Sequence, residues 1–260
     1  MMRIAISFLL GCALALPVFA QTKAGFVVMH GKGGSPARFV ADLASGLETK
    51  GFVVENLEMP WSGRRNYDVD VAAAEAEVRQ ALERLRGKGA QRVFVAGHSQ
   101  GGLFALHLGG RLPLDGVAAI APGGNVASEF YRRQFAASLD EAKAYVAAGK
   151  GAERQRLMDY ESRAYPVSAV PAAYVTWFDP EGAMNQSRAL KALPANLPVL
   201  YVSPTGDYPV LRRARDSIFA ALPKMPYTRL YEPNVDHLHS PAASVDEIAL
   251  WANDILQGAK

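Results

Sequence analysis

The chain is nearly without cysteine: one residue of 260, Cys12, carries a thiol. It lies in the opening "MMRIAISFLLGCALALPVFA", which has the three parts of an export signal. Arg3 gives the positive start, Ile4 to Leu16 the apolar stretch, and Val18-Phe19-Ala20 a small-residue cleavage site before Gln21. The apolar stretch is short for a membrane span. Removal of residues 1–20 and export to the periplasm or beyond are therefore expected, with no membrane span left afterwards. Lipoprotein cleavage at Cys12 in "LLGC" is the weaker reading, because eight mostly apolar residues would then follow the lipid anchor. Without Cys12 the mature chain has no thiol, which excludes disulfide bracing and a cysteine nucleophile.

Charge is also scarce. Only 20% of the residues are charged and the net charge is +3, with no run of Lys or Arg to track phosphates, so nucleic acid is not an expected partner. Repeats and low-complexity segments are absent. Half of the residues are hydrophobic, enough for one large core in a single domain over 21–260. Histidines number only five, which permits elimination among them.

What is present is alternation of strand and helix patterns. "AGFVVMH" (24–30), "GFVVENLE", "QRVFVAG", "GVAAIAPGG" (116–124), "PVLYVSP" (198–204) and "YTRLYE" (227–232) read as strands. Between them, "SPARFVADLASGLETKG" reads as a helix capped by Ser35 with Pro36 at its first position, and Val71 to Arg86 as a longer one. "SVDEIALWANDILQ" closes the chain as a helix. Continuous apolar strands separated by amphipathic helices predict an α/β fold, a mostly parallel sheet covered by helices on both faces. In such sheets ligands gather beyond the carboxyl ends of the strands, so functional residues should follow strands directly.

Residues 125–197 are too long for an ordinary crossover. They contain the helix-like pieces "EFYRRQFAASLDEAKAYVAAG" and "GAERQRLMDYESRAY", together with Tyr160, Tyr165, Tyr174, Trp177 and Phe178. A helical lid over a pocket is expected here; the alternative is an insertion whose aromatics form their own small core.

The stretch "VFVAGHSQGGLFAL" (93–106) joins a strand to a helix through almost no loop. Gly97 and Gly101 flank Ser99 at two residues on either side, relieving a strained turn. Ser99 is the candidate nucleophile, and a serine hydroxyl needs a base that is itself oriented by an acid. His98 neighbours Ser99 and points elsewhere, His107 lies inside the helix, and His30 ends the first strand. "NVDHLHSP" follows the last strand, and within it His237 is favoured over His239, which sits closer to the final helix. The acid must also follow a strand, and "PVLYVSPTGDYP" delivers Asp207. Attack on a carbonyl needs backbone N–H donors for the oxyanion. The amide of Gln100 opens the helix, and "HGKGGS" (30–35) after the first strand suits a second donor. That loop does not have the spacing of a phosphate loop, and no dinucleotide pattern follows, so no cofactor is expected. Asp236, His237 and His239 do not make a convincing coordination set, so no metal is expected.

The "GHSQGG" elbow, the "HGKGG" loop and the order Ser99, Asp207, His237 resemble the α/β-hydrolase family, and the likeness runs over about 24–257. The resemblance implies an eight-stranded core in full form, of which this chain would lack the first two strands. It implies Ser99 as nucleophile, His237 as general base and then acid, Asp207 as its orienter, and the backbone N–H groups of Lys32 and Gln100 as oxyanion donors. A serine in that position implies acyl transfer through an acyl-enzyme, and the aromatic insertion suits a small-molecule ester. Three alternatives stay open: a peptidase or amidase, an acyltransferase, and a binding protein built on a hydrolase scaffold.

Overall fold

The computed structural model describes residues 23–161 and 163–258, so the expected signal at 1–20, with Cys12, lies outside the described residues. The first half runs β1 (Ala24–Met29), α1 (Ala41–Thr49), β2 (Val53–Leu57), α2 (Val71–Gly87), β3 (Arg92–His98), α3 (Gln100–Gly109) and β4 (Gly116–Ile120). Next come α4 (Glu129–Ala147), β5 (Gln155–Tyr160), β6 (Ala164–Ala169), α5 (Pro171–Phe178) and α6 (Gln186–Lys191). The chain ends with β7 (Val199–Val202), α7 (Pro209–Ala221), β8 (Arg229–Tyr231), α8 (Ser240–Ala243) and α9 (Val245–Gly258). Six strands form one sheet in the order β2-β1-β3-β4-β7-β8, and every pairing is parallel.

The central strands are buried except for Arg92 at the start of β3, while the edge strands β2 and β8 are half-buried. Alternate residues of each strand enter different cores. Val27, Met29, Val93, Val95, Val117 and Ala119 face α2, α3 and the insertion. Phe26, Val28, Phe94, Ala96, Ala118 and Ile120 face α1 and α9. A period of two with both faces apolar is what produces the continuous hydrophobic runs of a covered parallel sheet.

Two local expectations are corrected. The first helix begins at Ala41, not at Ser35-Pro36. Phe39 adopts φ 69°, a left-handed conformation that cannot continue a helix, and Arg38 N–H turns back onto the Ser35 carbonyl. The segment "GAERQRLMDYESRAY" is largely a strand and a turn: β5 and β6 pair antiparallel, with Leu157 opposite Val167 and Asp159 opposite Tyr165. Its charged residues suit a helix by propensity. Burial alternates instead, with Leu157 and Asp159 inward and Arg156, Met158 and Tyr160 more exposed. The aromatics of the insertion do not form a core of their own. Phe135, Tyr174, Trp177 and Phe178 belong to the same buried cluster as Val95, Leu103 and Phe104, with Trp177 packed on Trp61 and Phe104.

On the opposite face Trp251 of α9 is fully buried, packs edge-on against Phe94, and donates its indole N–H to the Tyr227 carbonyl at 2.7 Å. Its ring lies close enough to Gly116 that a side chain there would collide with it. Trp251→Ala should therefore destabilise the fold by about 3–5 kcal/mol, seen as a lower urea midpoint with an unchanged denaturant slope.

Candidate active site

The sheet delivers its chemistry through a backbone crossing at the end of β3. Ser99 sits between β3 and α3 at φ 53°, ψ −116°, a strained conformation for a residue with a side chain. A Cβ on Gly97 would lie 2.0 Å from the Gly101 carbonyl oxygen, and one on Gly101 would lie 2.7 Å from the carbonyl oxygens of Met29 and His30. Glycine is required at both places because two backbones pass where a methyl group would be. The main chain of Ser99 is fastened: its N–H donates to Ile120, and its carbonyl accepts from Gly102 and Gly123. The side chain is left half-buried at the strand ends.

His237 and Asp207 meet, and both are buried. His237 Nδ1 lies 2.7 Å from Asp207 Oδ1. An ionised carboxylate only accepts, so Nδ1 carries the proton and Nε2 is left with its lone pair. Two stitches between the loops make this pair: Thr205 N–H donates to the Pro233 carbonyl and Gly206 N–H to the Val235 carbonyl. A Cβ on Gly206 would meet the Val235 oxygen at 2.8 Å, so the glycine that marks this turn in the sequence also allows the loops to touch. Tyr208 donates its N–H to Asp207 Oδ1 and lays its ring 4.6 Å from that of His237. His239 goes elsewhere: it is exposed and pairs with Asp236 at 2.7 Å. The His239 main-chain N–H, 2.9 Å from Asp236 Oδ1, and then its ring hold the Asp236 carboxyl below its ordinary range.

The remaining histidines are neutral and structural. His30 Nε2 accepts from Met59 N–H, so its Nδ1 proton is directed to the Gly31 carbonyl, and burial lowers its pKa. His107 is lowered chiefly by burial and bonds to Glu75. His98 carries a role that the sequence did not disclose. Its Nε2 donates to the His237 carbonyl at 2.9 Å, its ring lies 4.8 Å from that of His237, and burial pushes its pKa down to about 3. His98 therefore ties the strand that carries Ser99 to the loop that carries His237. Nothing in the motif announces this, because the partner is a main-chain carbonyl 139 residues away.

The loop after β1 lies directly on Ser99: a Cβ on Gly31 would sit 3.0 Å from the Ser99 Cβ. The N–H groups of Gly33 and Gly34 are used by the Trp61 and Gly31 carbonyls, whereas those of Lys32 and Gln100 have no partner among the described residues. For Gln100 this follows from its place in the first turn of α3. The Lys32 side chain runs to Asp159 in β5. Among the described residues no group of three or more His, Cys, Asp or Glu side chains is arranged to hold a metal ion. Cavities of about 410 and 230 Å³ lie along α7, and Ser99 lines neither of them.

His98 makes the fold sensitive to acid. It takes up a proton near pH 6.5 in the unfolded chain and only near pH 3 in the folded one. Between those values the unfolded state binds more protons, so stability rises with pH and is lost on acidification. His98→Gln retains a side-chain donor for the His237 carbonyl without the titration. Its stability should fall less steeply between about pH 6 and pH 4, by up to about 1 kcal/mol per pH unit, as read from urea midpoints. Equal slopes in the two proteins would mean that His98 titrates normally.

Residues 26–249 match the model of the alpha/beta hydrolase family. No curated protein matches the chain. Among solved structures, one described under "LipS and LipT, two metagenome-derived lipolytic enzymes" is 18% identical, with a TM-score of 0.61 over 92% of this chain and 95% of that one. A monoacylglycerol lipase of Paleococcus ferrophilus is 19% identical, with a TM-score of 0.60 over 93% and 98%. Est1E from Butyrivibrio proteoclasticus, with ferulic acid bound, is 15% identical, with a TM-score of 0.59 over 93% and 92%. At such identities the likeness to these three is one of fold. The family match spans most of the chain, and the protein belongs to the alpha/beta hydrolase family.

Proposed function

We propose that the protein is an exported serine hydrolase that cleaves carboxylic esters through Ser99, His237 and Asp207. The observation that carries this reading is the buried 2.7 Å contact between His237 and Asp207, set at the strand ends with Ser99 on its strained elbow. Family membership and the lipolytic or esterase descriptions of the solved relatives support an ester substrate. Tyr208 and Leu238 flank His237 and are exposed, which suits a moderately apolar acyl or alcohol group. Export rests on the pattern of residues 1–20, and the mature chain would begin at Gln21.

In the first half-reaction Ser99 Oγ attacks the ester carbonyl carbon while His237 Nε2 takes the hydroxyl proton. The Nδ1 proton stays directed at Asp207, which orients the ring and stabilises the imidazolium. The oxyanion is held by the N–H groups of Gln100 and Lys32. The tetrahedral adduct collapses, the C–O bond to the alcohol breaks, and the leaving oxygen takes the proton from Nε2. Water then repeats the sequence on the acyl-enzyme, releasing the carboxylic acid and restoring Ser99.

Labelling by a fluorophosphonate and hydrolysis of p-nitrophenyl esters test this reading together. Ser99→Ala should lose labelling entirely and at least about 10³-fold in kcat/KM. His237→Ala should be similarly impaired and Asp207→Asn severely so, while His239→Ala stays within about twofold of wild type. A folded wild-type protein that neither labels nor hydrolyses any ester of the series would sink the proposal and favour a binding role. Labelling with Ser99→Ala undiminished would place the nucleophile elsewhere.

A further inference from the structure

The Lys32 ammonium is almost entirely withdrawn from water, with only 9% of its side chain exposed. It donates to Asp159 Oδ1 at 2.5 Å and to the Tyr160 carbonyl at 3.0 Å. Around it stand the rings of Tyr131, Phe135 and Phe178, each within 6 Å of the nitrogen. Asp159, near the turn end of the β5–β6 hairpin, is buried more deeply still. Its other oxygen accepts from the hydroxyls of Tyr67 at 2.7 Å and Tyr165 at 3.2 Å. Burial and the Asp159 charge push the Tyr67 hydroxyl pKa well up, so it remains a donor.

Stability alone is a poor reason for this cluster. A buried ion pair gains little over apolar side chains of the same volume, because two charges must first be stripped of water. The wall of aromatic rings could have been closed by a leucine and a methionine. Tyr67, moreover, is held at φ 55°, directly after Asn66 at φ 47°, so the loop after β2 carries strain in order to present this ring. One arm from Asp159 ends on Lys32, whose N–H has no partner among the described residues and whose loop lies on Ser99; the other ends on Tyr67 in the loop after β2.

We propose that Asp159 is the positioning residue of the oxyanion site, holding the Lys32 loop by the ammonium against the loop that carries Tyr67. This rests on the serine-hydrolase reading above and adds to it that the insertion completes the site. Asp159 touches no reacting atom. It fixes one main-chain donor, the Lys32 N–H, to the geometry of the tetrahedral adduct, where a misplacement of a fraction of an ångström is felt.

The test uses the mature full chain with Asp159→Asn, Lys32→Met, Tyr67→Phe and the double variant Lys32→Met/Asp159→Leu. Lys32→Met keeps its main-chain N–H, and the double variant replaces the pair by apolar groups so that no charge is left unpaired. Each is assayed for p-nitrophenyl ester kinetics, affinity for a trifluoromethyl ketone analogue of the adduct, and the acyl-enzyme carbonyl stretch by difference infrared spectroscopy. The expected result is a kcat lower by about 10- to 100-fold with KM within about threefold, and a parallel loss of analogue affinity. The carbonyl stretch should move to higher frequency, because weaker hydrogen bonds polarise it less. The double variant should still lose kcat at temperatures where its melting curve shows it fully folded, which separates positioning from stability. Folded variants with wild-type kcat, analogue affinity and carbonyl frequency would overturn the role of Asp159 while leaving Ser99 as nucleophile. So would losses confined to KM. A wild-type protein in which the fluorophosphonate does not label Ser99 would overturn both.

Discussion

The backbone of β3 and the first turn of α3 cross at Gly97 and Gly101 with no room for a methyl group between them, and the rest of the strand-end architecture is referred to that crossing. It forces Ser99 into a conformation with positive φ, so the serine cannot lie down along either element. It brings α3 against the end of β1, where a Cβ on Gly101 would strike the carbonyls of Met29 and His30. The loop leaving β1 must consequently pass over Ser99. The same crossing leaves the first N–H groups of α3 pointing past the serine with no helical partner. One steric constraint thus sets the hydroxyl, the loop above it and one of the free donors.

Electrostatics then sorts the histidines by burial and partner. His30, His98 and His107 are all held neutral chiefly by the loss of water around them. Each spends its ring hydrogen on a neighbour: a carbonyl for His30 and His98, a carboxylate for His107. His237 differs in having a buried carboxylate on Nδ1 and a lone pair to spare on Nε2, the arrangement needed for a ring that takes a proton and returns it. His239 has a carboxylate as well, but both members stand in water, where such a pair is worth little and holds nothing in place.

The repeating part of the molecule was legible because its signals are local. Apolar runs of five to seven residues, Gly at the elbow and Gly206 before Asp207 each state their geometry within a few positions. The misreadings occur where tertiary contacts override propensity. Ser35-Pro36 has the composition of a helix start, yet that segment belongs to the loop tied over the strand ends, and the left-handed Phe39 delays the helix to Ala41. In "GAERQRLMDYESRAY" the charged residues favour a helix, but Asp159 is bound between Lys32 and Tyr67, and burying it together with Leu157 demands alternation. The links from His98 to His237 and from Asp159 to Lys32 span more than a hundred residues, and no motif spacing encodes them.

The insertion is fastened to the loops at the strand ends. Its α5 is held to the loop before α2 by the Trp177 indole on the Val69 carbonyl and by Val71 N–H on the Thr176 hydroxyl. Its hairpin is held through Arg154, whose guanidinium reaches the Arg65 carbonyl, and through Asp159. A lid formed from the whole of 125–197 would have to lift Asp159 away from Lys32. That would leave a carboxylate and an ammonium unpaired among aromatic rings, and breaking a buried pair in this way costs about 3–5 kcal/mol. On that cost, opening as one body is disfavoured by about 10²- to 10³-fold at room temperature. Phe130, at the start of α4, is exposed and meets the rings of Tyr131 and Tyr160 edge-on. The insertion thus carries a strut, from the hairpin through α5, that is fastened to the loops leaving β1 and β2.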